Sequence, residues 1–324
     1  MLTRRRLIAA SAVVVLPAPG RALADTWPSK PIKLVVPYAP GGTTDVVGRM
    51  IAEYLGRQLG QNIVVENRPG KGATIGTAQV AKAAPDGYTY VFGTAGTHGI
   101  NASLYKRLSF DVETDFTPIA PVVDVPNVLT VNPKFVDAKD VKQFIEIVKK
   151  QPGKLNYGTS GTGTTTHLVA EMFNGAAGIQ TSHIPYKGSG LMMNDLVGGQ
   201  VDMAFDTIAT TKPHIDSGSL RAIGATMARR SPAAPEIPTF DEQGLKNFVG
   251  GSWVGFLGPA NLPAPIVARV LADVTQILNS GLADELTKRG LDPAGLPPEQ
   301  FAAMIREEHA RFTAIGQRAG LKPE

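Results

Sequence analysis

The stretch that most constrains this chain is Pro37-Tyr38-Ala39-Pro40-Gly41-Gly42-Thr43-Thr44-Asp45. An apolar run with strand character, Ile32-Lys33-Leu34-Val35-Val36, precedes it. A helical pattern follows, with Val46, Val47, Met50, Ile51, Tyr54, Leu55 and Leu59 on one face. Strand, Gly-rich turn and helix N-terminus are the parts of a parallel α/β unit. Glycines let the backbone turn sharply and approach a ligand with no Cβ in the way. The free N–H groups of the first helical turn and the positive end of the helix dipole favour an anion. Thr43, Thr44 and Asp45 are good capping residues, so a capped turn with no ligand is the competing reading.

The same unit recurs along the chain. Gln61 to Asn67 is a second strand, Thr74 to Ala84 a small-residue helix, and Tyr88 to Phe92 a third strand. That strand runs into a second Gly-rich turn, Gly93-Thr94-Ala95-Gly96-Thr97-His98. The order β-α-β-α-β predicts a parallel sheet with ligands at the C-terminal strand ends. Val122-Val123 and Val128 to Val131 form a connecting strand, where the chain crosses to a second domain. Leu155-Asn156-Tyr157 then leads into Gly158-Thr159-Ser160-Gly161-Thr162-Gly163-Thr164-Thr165-Thr166 and a helix from His167. Further strands are expected at Thr181 to Pro185, Val201 to Asp206 and Leu220 to Thr226. Trp253 to Leu257 reads as the return strand, followed by two amphipathic helices, one from Pro265 and one over Pro298 to Arg318.

Residues 1–24 stand apart from this pattern. Met1 to Arg6 is a basic n-region, Leu7 to Leu16 an apolar h-region, and Ala22-Leu23-Ala24 an A-x-A cleavage site, which together predict a signal peptide cut near Ala24. Thr3-Arg4-Arg5-Arg6-Leu7-Ile8 fits twin-arginine export, and an ordinary Sec signal fits as well. The formal charge of +4 comes from 32 basic and 28 acidic residues, and Arg4, Arg5, Arg6 and Arg21 lie in the signal, which has no acid. The remaining chain is therefore neutral, and its precursor charge is no argument for nucleic-acid binding. With no cysteine, an exported chain must be stable through its core alone, and thiolate metal sites and cysteine nucleophiles are excluded.

Gly158-x4-Gly163-Thr164-Thr165 has the glycine spacing of a phosphate loop, but Thr164 stands where that loop needs lysine. Ser160, His167 and Asp206 can be assembled into a triad on paper, yet no G-x-S-x-G elbow surrounds Ser160. An exported serine hydrolase using Ser160 and His167 is the alternative function. The five histidines show no H-E-x-x-H or similar spacing, so no metal is expected. Lys187 is either a counter-charge for an anion or a surface lysine, and Asp206 either holds a ligand amine or water or serves as a cap. What remains is a set of neutral turns rich in N–H and hydroxyl donors, suited to reversible capture of a carboxylate and lacking an acid–base pair to transform it.

Several stretches together resemble the periplasmic substrate-binding proteins of tripartite tricarboxylate transporters, the Bug or TctC family. They are Trp27-Pro28-Ser29-Lys30-Pro31-Ile32, Pro40 to Asp45, Val65 to Gly70, Ala84 to Tyr88, Asn156 to Gly163, His183 to Gly188 and Pro238 to Gly244. The resemblance implies a two-lobed, type II-like flytrap fold of the periplasmic binding proteins, α/β, each lobe a mixed, mostly parallel sheet flanked by helices. Lobe 1 is expected over 25–124 and 250–324, and lobe 2 over 125–249. It further implies a small carboxylate ligand (a di- or tricarboxylate, an acidic amino acid or an aromatic acid) in the cleft between the lobes. No catalytic residue and no cofactor are expected. The partner is a membrane transporter or a sensor, and the chain is a monomer. The expected ligand residues are Ala39, Gly41, Gly42, Thr43, Thr94 and Thr97 on one side. On the other they are Ser160, Gly161, Thr162, Gly163, Thr164, Tyr186, Lys187, Gly188 and Asp206, the last helping to set ligand type. Tyr38 departs from the phenylalanine that many relatives carry.

Overall fold

The structure, a computed structural model, describes residues 27–101, 105 and 107–318. The expected signal peptide and its cleavage site lie outside the described residues. Strand β1 (Ile32–Val36) is buried on both faces, as its run of branched apolar residues requires of an inner parallel strand. Helix α1 (Thr43–Leu59) follows, burying Val47, Ile51, Leu55 and Leu59, and ends at Gly60 in the left-handed conformation. Next come β2 (Ile63–Asn67), α2 (Thr74–Ala81) and β3 (Thr89–Thr94). The turn expected after β3 is a π-helical turn, Gly96–Ile100. The connecting strand is longer than expected: β4 runs unbroken over sixteen residues, Phe116–Val131.

The second half carries α3 (Val141–Lys149), β5 (Asn156–Thr159), α4 (Thr165–Ala177), β6 (Ser182–Pro185) and α5 (Ser189–Gly198). It continues with β7 (Met203–Thr207), α6 (Ile208–Asp216) and β8 (Arg221–Ala225). The return strand is β9 (Gly251–Pro259), followed by α7 (Ala264–Leu278), α8 (Gly281–Lys288), β10 (Asp292–Pro293) and α9 (Pro298–Arg318).

Strand β4 organises the whole. Its residues 116–126 pair with β9, and Val123 and Asp124 pair with β10. Its residues 127–131 pair with β7 on one side, and 128–131 with β8 on the other. One sheet therefore reads β2-β1-β3-β9-β4-β10 and the other β8-β4-β7-β5-β6, joined through β4. Strands β1, β2 and β3 are parallel, as are β5, β6 and β7, so in each sheet most strands point one way. The first sheet is packed on one face by α1 and α7 through Val47, Ile51, Val270 and Val274, and on the other by α9 through Phe301, Ile305 and Phe312. The second has its own core around Phe144, Tyr157, Phe173, Phe205 and Phe240.

Candidate functional site

Parallel strands deliver their C-terminal loops to one end of a sheet, and here the loops of both sheets meet at one cavity of about 420 Å³. The first sheet contributes Tyr38, Thr43 and Thr44 after β1 and Thr94 and Gly96 after β3, with Asn101 and Tyr105 beyond. The second contributes Ser160 and residues 162–166 after β5, Ser189 at the start of α5, and Asp206 and Thr207 at the end of β7. Val125 and Asn127 of β4 and Ser252 and Val254 of β9 form the floor between them. Among the described residues the wall carries no lysine or arginine, and Asp206 is its one ordinarily ionised side chain.

Four helices begin on this wall: α1 with Thr43 and Thr44, α4 with Thr165 and Thr166, α5 with Ser189, and α6 capped by Thr207. Two of these ends are closed by their own side chains, because Thr164 accepts from the His167 N–H and Thr207 from the Thr210 N–H. The other two have no side-chain cap, Gly42 and Gly188 standing at the N-cap positions of α1 and α5. Their first-turn N–H groups stay available, and the four dipoles add a positive potential without any cation.

The loops are held by bonds that the ligand does not need to make. Tyr38 Oη and Thr94 Oγ1 are 2.7 Å apart. Thr97 accepts the Thr94 N–H at 2.8 Å and is fully buried, so it shapes the loop and does not reach the cavity. Thr164 Oγ1 donates to the Gly161 carbonyl at 2.7 Å and lies 3.0 Å from Thr166 Oγ1, which lies 3.1 Å from Ser160 Oγ. Behind them the His167 and His183 rings stack with centroids 3.9 Å apart. The Gly163 N–H donates to His167 Nδ1 at 3.1 Å, and His183 Nε2 meets Thr159 Oγ1 at 2.7 Å. Burial lowers the pKa of His167 to about 4; burial and the neighbouring His167 ring do the same for His183, with Glu171 opposing. Both imidazoles are neutral at pH 7.

Of the expected ligand residues, Thr43, Thr94, Ser160, Thr162, Gly163, Thr164 and Asp206 line the cavity together. Ala39, Gly41 and Gly42 are exposed and lie off its wall, and the Gly41 N–H is occupied by Asp45 Oδ2 at 2.9 Å. Asp45 is more than a cap: its buried carboxyl also binds Arg49 Nε at 3.0 Å and Asn67 Nδ2 at 2.9 Å. Tyr186 turns its hydroxyl to Asp195 at 2.7 Å, and Lys187 is exposed. The Tyr186 and Gly188 N–H groups support the cleft loop through the Thr159 and Ser160 carbonyls. The Ser160 hydroxyl is bonded to Thr166 and His167 Nδ1 accepts from the Gly163 N–H, so the two share no bond and the paper triad is not assembled. Among the described residues no group of three or more His, Asp and Glu is placed to hold a metal ion.

Sequence reasoning missed Tyr38, Asn101, Asn127, Ser189, Thr207 and Ser252. Ser189 and Thr207 stand at strand-to-helix switches and were reachable by the rule that picked Thr43. Asn127 is the one amide side chain in the largely apolar run Val125 to Val131, and that amide was the available signal.

The family model for the tripartite tricarboxylate transporter family receptor matches residues 47–321. The chain belongs to this family. Protein BugT of Bordetella pertussis is 34% identical over 302 residues, covering 92% of each chain. Among solved structures, a protein of R. palustris with adipate shares 35% identity at a TM-score of 0.78, covering 92% of this chain and all of the other. MatC of Rhodopseudomonas palustris with bound malate shares 33% identity at a TM-score of 0.72, covering 89% of this chain and 99% of the other. The fold is that of the periplasmic binding proteins. Among the described residues no helix is long and apolar enough to cross a membrane.

Proposed function

We propose that this receptor-family protein captures a small organic carboxylate in the cavity between its two sheets and releases it unchanged. The observation that carries the reading is the set of four helix N-termini on a wall without a basic side chain among the described residues. Such a wall stabilises an anion through dipoles and N–H donors, and its neutral donors let the ligand leave again. Adipate in one similar protein and malate in another support a carboxylate of that size. Ser160 and His167, each bonded to another partner, support binding without turnover.

In this reading the chain is exported, with residues 1–24 removed near Ala24. It hands its ligand as a monomer to the membrane subunits of a tripartite transporter or to a sensor. Residues 25–124 with 250–324, and residues 125–249, act as two lobes that close on the ligand. The change of partners along β4 between Pro126 and Asn127 supports a pivot there.

A thermal-shift screen of purified protein against di- and tricarboxylates, acidic amino acids and aromatic acids tests the reading. Ligand at 100 times its Kd stabilises the folded state by about 2.7 kcal/mol. At least one acid is expected to raise the melting temperature by several degrees. A panel in which no carboxylate acts while a sugar or a metal cation does would sink the proposal.

A further inference from the structure

The cavity loop after β5 turns through two left-handed glycines, Gly161 at φ +147° and Gly163 at φ +73°, whose backbone is free to adopt other shapes. Two imidazoles behind it fix the shape. The Gly163 N–H donates to His167 Nδ1 at 3.1 Å, and Thr159 Oγ1 lies 2.7 Å from His183 Nε2. The two rings stack with centroids 3.9 Å apart and planes 11° apart, and Tyr157 of β5 extends the stack at 5.0 Å from His183. Because His167 Nδ1 accepts a bond, the one proton of its neutral ring sits on Nε2. A second proton can go only to Nδ1, where it would point at the Gly163 N–H. The Thr159 hydroxyl can accept as well as donate, so its bond survives a proton on His183. Tyr157 gives its hydroxyl to Glu171, one turn along α4 from His167. Glu171 and the His167 ring are the chargeable groups that bear on His183, and burial acts on His167. The loop brings amides and hydroxyls to the pair, and α9 joins α4 in the apolar cluster of Leu168, Phe301 and Phe312.

We propose that His167, seated on His183, is a positioning residue for the cavity loop, and that the loop keeps its ligand-holding shape only while this imidazole is neutral. His167 lies behind the cavity wall and acts through Gly163, which is part of it. Acid therefore loosens the loop and releases what it holds. The proposal rests on the carboxylate reading only for the nature of the ligand, since the loop's own response to acid needs no ligand. In the formed loop His167 takes up a proton near about 4, against about 6.5 for an imidazole in water. A base whose pKa is lowered in the formed loop favours that loop above the free value. This advantage is lost as pH falls from about 6.5 to about 4. A proton on His183, one ring away, adds repulsion to the same end.

The test is a pH titration of the purified protein, isotope-labelled at glycine and histidine and followed by NMR with no acid added as ligand. The Gly161 and Gly163 amide signals are expected to move together with the His167 ring signal, at a midpoint between about pH 4 and pH 6.5. Those of Gly48 in α1 and Gly224 in β8 should stay. In His167→Asn, whose side-chain oxygen takes the place of Nδ1 and does not titrate, the loop glycines are expected to stay as well. Binding is then measured by calorimetry at pH 7.5 and pH 5 with adipate and malate, the acids found with two similar proteins, as probes. Protonation of the probe is common to both proteins, so it cancels in the comparison. Between the two pH values wild type is expected to lose about tenfold more affinity than His167→Asn. Loop glycines that stay while the His167 ring titrates, or that move equally in His167→Asn, overturn the proposal. So does movement of all four glycines at once, which marks general unfolding, or a variant that weakens binding equally at both pH values. Where the variant fails to fold, the wild-type titration decides by whether the loop glycines follow the His167 ring. Failure of both acids to bind at pH 7.5 counts against the carboxylate reading, and the glycine signals still decide this proposal.

Discussion

The Asp45 carboxyl is buried and accepts hydrogen bonds from the Gly41 N–H, Arg49 and Asn67. It thereby fixes the turn that brings Thr43 and Thr44 to the cavity. Burial alone would raise its pKa, but the bonds from Arg49, Gly41 and Asn67 outweigh that effect and hold it below the usual carboxylate range. A carboxyl with a depressed folded pKa contributes stability above its unfolded pKa, and that contribution is lost as pH falls through the folded value. Asp45→Asn is therefore expected to lose about 1–3 kcal/mol at pH 7 in urea unfolding. The gap to wild type should close below about pH 4, where the unfolded carboxyl takes up its proton. Equal urea midpoints at pH 7 would show that the turn does not depend on this charge.

Among the elements, the loop after β3 offers a sharp test because its glycine is constrained by space and not by backbone angle. A Cβ on Gly96 would stand 3.0 Å from Tyr38 Oη and 3.3 Å from Thr94 Oγ1, the pair that ties two cavity loops together. Gly96→Ala is expected to push this pair apart and weaken ligand binding by roughly tenfold, about the worth of one displaced hydrogen bond. The melting temperature of the free protein should move little, since Gly96 is half-buried at the cavity and is not itself part of the apolar core that its neighbours Ala95 and Ile100 join. Titration with the best ligand of the thermal screen measures it, and unchanged affinity would remove the Tyr38–Thr94 pair from the binding apparatus. The parallel strands and long amphipathic helices were legible in the sequence because β1 carries an unbroken apolar run and α1 an apolar stripe. Helix α6 was not, because Ile208-Ala209-Thr210-Thr211 and Pro213 together make a poor helix, and the structure holds it through bonds of Thr210 and Thr211 to Thr207. The unity of β4 was hidden by Pro118, Pro121 and Pro126, which sit beside register shifts or at the change of partner sheet. The cavity was half legible: Gly/Thr turns announced which loops converge, but only packing decides that Gly41 faces away while Asn127, buried in a strand, faces in.

On the scale of the whole molecule, three carboxyls that are distant in sequence gather behind the floor of the cavity. Asp124 of β4 stands opposite Asp292 of β10 and Trp253 of β9, and the Trp253 indole N–H donates to Glu308 of α9. With Arg229 and Arg311, Asp124 and Glu308 line a second cavity of about 620 Å³ on the side of β9 away from Val254. Burial raises the pKa of Asp124 to about 6, with Arg229 opposing and Asp292 adding. Burial raises that of Glu308 to about 6, with Trp253 and Arg311 opposing and Asp124 adding. An acid with a raised folded pKa favours the folded state below its unfolded pKa, and this advantage is lost as pH rises through the folded value. The contribution of these two groups should therefore fall between about pH 4 and pH 6, by roughly 2–4 kcal/mol together, while His98, His167 and His183, with pKa values lowered by burial, contribute in the opposite sense over the same range. Asp124→Asn with Glu308→Gln removes both ionisations, while the amide oxygen introduced at position 308 still accepts from Trp253. Asp45 and the histidines are common to wild type and variant, so the difference between the two reads the pair of carboxyls alone. That double variant is expected to unfold at higher urea than wild type at pH 7.5 and at similar urea at pH 4.5. A gap between wild type and the double variant that does not change from pH 4.5 to pH 7.5 would leave these carboxyls ionised, balanced by Arg229 and Arg311.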